Sequence, residues 1–424
     1  MKTVLSVLAA ILVCSSLALA QSPDIMVGRI MGNSRFKAAM EFMDKDYDRF
    51  VNEIIQLTEI EAPPFKEAKR GQVYLDMLKK HGLTNVEMDP EGNVMGLRKG
   101  TGNGPLIAIA AHLDTVFPEG TNVKVKREGT RLIAPGVGDD SRGLAVLLAV
   151  LRAMNAADLQ TRSDILFVGD VGEEGLGDLR GVKYLFQKSA YKDRIKMFIS
   201  IDNIGPGTNI INGAVGSKRY RVTFKGPGGH SYGAFGIVNP AYAMAAAIQK
   251  FSKMEVPTSP RTTYSVGVIG GGTSVNSIPF ESWMEVDMRS ESPDELNKEA
   301  ETFIGLMHEA VDEENKARST AQGKIEVEMK LIGDRPSGGT SGGSTIVQSA
   351  SSIIREFGMQ PVYKIDSNDA NFPISLKIPA ITIDSGGSGA RSHSLDEWID
   401  VEKTLGLKGL NIAMGILLTL AGIQ

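Results

Sequence analysis

Short apolar runs alternate with stretches of helical periodicity through the first half of the chain, and that rhythm sets the expected fold. Apolar residues recur at helical spacing over 39–57 and 65–80, and His81-Gly82 closes the second helix, since glycine suits the left-handed capping position. "PLIAIAAHLD" reads as a buried strand and "GLAVLLAVLRAMNAA", from Gly143, as a buried helix. The strands "DILFVGDV" and "KMFISID" follow. Such alternation predicts an α/β fold, a mostly parallel sheet with helices on both faces.

From about Ser217 the pattern changes. "KRYRVTFKG" alternates as a half-buried strand, and "NPAYAMAAAIQKF" is a helix opening on Asn239. "TTYSVGVIGGG" and "SWMEVDMRS" are two further strands. A charged helix follows, with Ser292 as N-cap and Pro293 in its first turn, and then the strand "KIEVEMKLI". The order β-α-β-β-α-β predicts a ferredoxin-like domain over 216–333, inserted into a sheet domain of 24–215 and 334–424. After Arg335-Pro336, helix and strand alternate again through "PAITIDSGG" to a C-terminal helix.

Length and composition agree with two domains of an ordinary soluble protein: 424 residues, 42% hydrophobic and 23% charged. A net charge of -4, with no basic stripe interleaved with aromatics, excludes a dedicated nucleic-acid binder. Residues 1–20 have the pattern of a secretory signal peptide: Lys2, an apolar stretch short for a membrane span, then Ala18-Leu19-Ala20. Cleavage after Ala20 predicts an exported protein, periplasmic or secreted, with no membrane span left. The only cysteine, Cys14, lies in that segment, so the mature chain would have neither disulfides nor thiolate ligands.

Five histidines narrow the candidate chemistry. His81 sits at a helix C-terminus, where a partly cationic ring would favour the dipole, and His308 lies on a charged helix. His112 ends a buried strand, at the sheet edge where ligands of open α/β folds gather. Asp114 faces the same side of an extended segment, and its carboxylate could accept the second ring N–H of His112. A single buried histidine, taken alone, more often serves packing. Asp139 and Asp140 precede the Gly143 helix, where aspartate commonly acts as a cap. Glu173 and Glu174 follow a strand, Asp202 ends another, and His393 follows "DSGGSGARS". Convergence of these segments on one edge gives a nitrogen and oxygen donor set that suits zinc, with manganese or cobalt as alternatives.

In this order around the inserted domain, "HLDTV", "GDDSRG", "EEG", "ID" and "SHSLDEW" resemble the co-catalytic zinc metallopeptidases. That family includes peptidase T, glutamate carboxypeptidase, succinyl-diaminopimelate desuccinylase and aminoacylase. The resemblance covers nearly the whole mature chain and implies two divalent metal ions. Asp139 is implied as the bridging carboxylate, with His112 and Asp202 completing one site and Glu174 and His393 the other. Asp114 is implied to orient His112. Glu173 is implied as the unligated general base, which takes a proton from a water bridging the two ions and passes it to the leaving amine.

His230 in "KGPGGHSYG", otherwise a loop histidine, is implied to reach a partner subunit's active site and stabilise the oxyanion. Asn276 in "TSVNSIP" and Arg289 in "VDMRS" resemble positions that hold the substrate's polar end. Read alone, they are a turn residue and a strand-edge charge. Gly387 in "SGGSG" is implied to offer backbone contacts. The chain has Arg142 where many relatives have lysine, and relatives carry a cis peptide between the paired acids, expected here between Asp139 and Asp140.

The activity this resemblance implies is hydrolysis of an amide bond in small peptides by a peptidase T-like aminopeptidase. "DDSRG" and an aspartate at 202 favour that member of the family. A carboxypeptidase or a deacylase of N-acyl amino acids is the alternative. An exported, metal-dependent binding protein without catalysis is the alternative of a different class, and the presence of Glu173 and His230 counts against it. A homodimer is expected through the inserted domain.

Overall fold

The computed structural model describes residues 23–102 and 104–424. The signal-peptide reading and Cys14 lie outside the described residues. The fold is α/β, and its central sheet runs in the order Thr84–Met88, Val94–Arg98, Ile165–Asp170, Leu106–His112, Ile195–Ile201, Ala380–Ile383, Asn209–Ala214, Gly338–Gly339. Four adjacent strands, from Ile165–Asp170 to Ala380–Ile383, are parallel, so their C-terminal ends share one edge.

Strand Leu106–His112 shows why its sequence is continuously apolar. Ile107, Ile109 and Ala111 face one helical layer, and Ala108 and Ala110 face the other. A parallel strand covered on both faces has no polar side to alternate with. The first layer includes Ser141–Ala156 and Lys403–Ala421, and the second includes Arg180–Gln187. Lys403–Ala421 is long and apolar enough to cross a membrane, but 72% of its apolar window is buried, and its side chains belong to the core.

The inserted chain forms a separate four-stranded antiparallel sheet, Thr262–Gly271, Glu281–Ser290, Gly216–Lys225 and Glu326–Arg335 in that order. Helices Pro240–Phe251 and Pro293–Ala317 cover one face, against Val222, Phe224, Met284, Val286 and Met288. Period-two alternation therefore sends Arg219, Asp287 and Arg289 to the opposite face.

Several local expectations are corrected. The helical stretch 39–57 is two helices, Ser34–Lys45 and Tyr47–Thr58, broken at Asp46. The last strand of the insert reaches Arg335, two residues past the expected boundary. A further small sheet of Lys126–Glu128, Arg131–Ile133, Ser388–Ala390 and Trp398–Asp400 had no clear alternation to announce it, and the connection between its last two strands carries His393. His81 departs from the partly cationic ring expected. Burial and the nearby charges of Arg152 and Arg49 push its pKa down to about 4, so the helix-dipole reading fails.

Candidate metal centre

The C-terminal edge of the parallel strands gathers the acids and imidazoles. His112 ends its strand with the ring fully buried. Its Nδ1–H donates to the Asp114 carbonyl oxygen at 3.0 Å, which leaves Nε2 as the free ligand nitrogen. Nε2 is buried without a hydrogen-bond partner, although Asp139 Oδ1 lies 3.0 Å away. The other oxygen of Asp139 lies 3.1 Å from His393 Nε2, which also meets Glu174 Oε1 at 2.9 Å. One ligand atom each from His112, Asp139 and Glu174 fall within 4.8 Å of one another. Asp202 follows the neighbouring strand and lines the same cavity, about 210 Å³ in volume. Larger recesses, such as one of about 440 Å³ between Tyr47–Thr58 and Ala68–Leu78, lack any such imidazole–carboxylate cluster among the described residues.

The paired aspartates divide their work. Asp140 caps Ser141–Ala156 through the Gly143 N–H at 3.1 Å and also accepts the His112 N–H at 3.1 Å. Asp139 is thereby free to face both imidazoles, and the bond between the two aspartates is cis. Glu397 holds the preceding turn, accepting N–H groups from Gly136, Gly138 and Asp139 at 3.1, 2.7 and 3.0 Å. Its carboxylate is in the quoted motif "SHSLDEW", but its role depends on main-chain directions that sequence does not display.

Asp114 acts differently from expectation. Its carboxylate is 3.7 Å from His112 Nδ1, and the shorter contact is made by its carbonyl. The carboxylate instead accepts the N–H groups of Gly172, Glu173 and Glu174 at 2.8, 3.1 and 2.8 Å. It therefore positions both glutamates as well as the imidazole. Asp114→Ala would leave three buried donors unmet, at about 1–3 kcal/mol each where water cannot replace the carboxylate. The expected result is a lower urea midpoint and weaker metal binding, read by denaturation and by titration with zinc.

Glu173 is not free. Its Oε1 accepts from Arg335 NH1 at 2.9 Å, and its carbonyl accepts from NH2 of the same guanidinium. Arg335, Arg219 and Arg289 form the insert's side of the cavity. Arg289 and Arg219 share Asp287, at 2.7 and 2.9 Å. His230 and Asn276 lie together at an exposed, short pair of strands, Gly229–His230 and Ser277–Ile278, and do not line the cavity: the Ser231 N–H donates to the Asn276 carbonyl at 2.9 Å. Gly387 is buried with a left-handed φ of 79° and does not line the cavity. A Cβ there would come within 2.6 Å of the fully buried Arg142 guanidinium. Arg335 and Arg219, like Glu397, are site residues that sequence reading missed, and the arrival of Arg335 beside Glu173 depends on how the insert rejoins the sheet.

The charge balance fits a cation. Burial raises the proton affinity of Glu174 to about 7, with Glu173 and Asp139 adding to it, and burial beside Asp139 also raises that of Asp202. His393 is pushed up to about 11 by its hydrogen bonds to Asp139 and Glu174. Burial opposes the charged form of His112, yet Asp139, Asp140 and Asp114 outweigh it and raise its pKa. Crowded acids thus favour bound protons and imidazolium charge, reflecting an excess of negative charge that a divalent cation would offset, and the sulfur-free donor set suits zinc, manganese or cobalt.

The sign of the pH dependence follows. Folded Glu174 and His393 bind protons more tightly than their unfolded forms, so metal-free stability falls as pH rises through the windows from their ordinary ranges to about 7 and about 11. The metal-free melting temperature should drop by some degrees between about pH 5 and 9. Added zinc should remove that slope, because the cation replaces the protons.

Fold and site together define a metallohydrolase with an acid–imidazole centre at the edge of a parallel sheet. Residues 108–418 match the model of peptidase family M20/M25/M40, and the chain belongs to that family, whose members hydrolyse amide bonds. The structure resembles that of aminopeptidase PepT from Bacillus cereus, with a TM-score of 0.70 at 22% identity over 88% of this chain and 99% of that one. It also resembles YXEP from Bacillus subtilis, described as a dinuclear metal-binding peptidase, with a TM-score of 0.64 at 18% identity over 88% and 99%. At those identities the likeness establishes the fold. In sequence, the chain is 26% identical to a succinyl-diaminopimelate desuccinylase of Leptothrix cholodnii, over 54% of this chain and 64% of that protein.

Proposed function

We propose that the chain is a two-metal aminopeptidase of small peptides, similar in action to peptidase T. The observation that carries this reading is Asp139, whose two oxygens face His112 and His393 at 3.0 and 3.1 Å as a bridging carboxylate would. His112, Asp139 and Asp202 would hold one ion, and Asp139, Glu174 and His393 the other. Zinc is the ion that the donor set favours. Two such ions, when bound, polarise the scissile carbonyl and lower the pKa of water to near neutrality. Glu173 then accepts the proton of the attacking water and delivers it to the leaving amine. Arg289, which lines the cavity while its Nε pairs with Asp287, would receive an anionic end of the substrate.

That arginine also favours a second reading, a carboxypeptidase or a deacylase of N-acyl amino acids, in which it binds the carboxylate next to the scissile bond. Cleavage of tripeptides, dipeptides and N-acyl amino acids by protein loaded with zinc, manganese or cobalt separates the two. Cleavage that a chelator abolishes and zinc restores supports the hydrolase. Tight binding without product would reject it in favour of a binding protein.

A homodimer is part of this reading. His230 and Asn276 are exposed beside Tyr232, Phe235 and Val275, three strongly exposed apolar side chains. Such a patch around one short strand pair suits association, and it would let His230 serve a partner's site as the oxyanion donor. Sedimentation showing a fully active monomer would reject that arrangement. Export, with the protein periplasmic or secreted, follows from residues 1–20, and N-terminal sequencing of the mature protein would test it.

A further inference from the structure

The Glu173–Asp178 segment is gripped from two sides. From beneath, Asp114 accepts the N–H groups of Gly172, Glu173 and Glu174. The inserted domain holds it from above. Arg335 NH1 donates to Glu173 Oε1 at 2.9 Å, and NH2 donates to the carbonyl of the same residue. Arg219 NH1 donates to the Gly175 carbonyl, and the Asp334 N–H donates to Asp178 Oδ1 at 2.8 Å. Arg335 is buried and is the last residue of the insert's final strand, at the point where the chain returns to the sheet domain.

We propose that Arg335 is a positioning residue for Glu173, which it holds by side chain and main chain at once, so that the base is in place when the insert is seated. The inference rests on Glu173 being the general base. Glu173 is next in sequence to a metal-ligand candidate, and a glutamate without an anchor could turn into the cation cluster. A guanidinium that bonds the carboxylate and the carbonyl of one residue fixes both its rotamer and its backbone. Lysine, a single point charge, cannot make both contacts in that geometry. A proton-transfer group must stay within hydrogen-bond reach of the water it serves, and small misplacements cost up to about 100-fold in rate.

The test uses the full-length, zinc-loaded protein and the variants Arg335→Met and Arg335→Lys. Arg335→Met is expected to keep its zinc, to lose about 30- to 100-fold in kcat with KM within about twofold, and to exchange the amide hydrogens of 172–178 faster. Arg335→Lys should recover part of the rate. Adding Arg335→Met to Glu173→Gln should slow the enzyme no further, since both act through one group. A raised KM with kcat preserved, additive losses in the double variant, or unchanged exchange at 172–178 would each overturn the proposal. If Arg335→Met does not fold, Arg335→Lys is held to the same criteria. If wild type cleaves nothing, the hydrolase reading fails, while hydrogen exchange still decides whether Arg335 positions this segment.

Discussion

Glu173→Gln is expected to retain wild-type metal content and to lose about 10²- to 10⁴-fold in kcat. Glutamine keeps an oxygen for Arg335 but cannot accept the proton of the attacking water. Glu173→Ala should lose the same proton transfer and also leave the Arg335 guanidinium buried without its carboxylate. Removing one partner of a buried ion pair costs about 3–5 kcal/mol, so the alanine variant should also unfold at lower denaturant. Elemental analysis beside kcat separates the outcomes. If zinc is lost in proportion to activity, Glu173 is a ligand and the assignment of the two glutamates is reversed.

Asp139→Asn should have the opposite signature, with turnover below detection because the metals themselves are lost. Asp139 alone faces both imidazoles, and both lower its pKa against the effect of burial. An uncharged amide could neither offset two cations nor accept on both sides as a carboxylate does. Asp140 keeps its cap on the following helix, so the fold should survive. Zinc stoichiometry by mass spectrometry, with circular dichroism as the folding control, measures this directly. A variant that still binds two ions would remove Asp139 from the bridging position.

Much of this arrangement was legible before any coordinates. Apolar runs that end in His112, Glu173-Glu174 and Asp202 mark the C-terminal ends of buried strands, and strand ends are where a parallel sheet presents polar groups. What escaped sequence reading depends on directions rather than on residue types. Asp114 was read through its carboxylate, but the carbonyl meets His112 while the carboxylate turns to three N–H groups. Arg335 lies 162 residues from Glu173 in sequence and meets it only through the return of the insert. His393 adopts a left-handed φ of 64° on a hairpin between strands of three residues, too short to show alternation. The break at Asp46 has a similar cause: apolar spacing continues across it, so the pattern reads as one helix.

The candidate ligands come from both sides of the insert, so the centre is incomplete until the last part of the chain is in place. A chain leaving the ribosome presents His112, Asp139, Glu174 and Asp202 first, and His393 only near the end of translation. A product truncated before its final hairpin would keep most of the sequence, including His112 and Asp139, but lack His393, and would hold the proposed ions poorly.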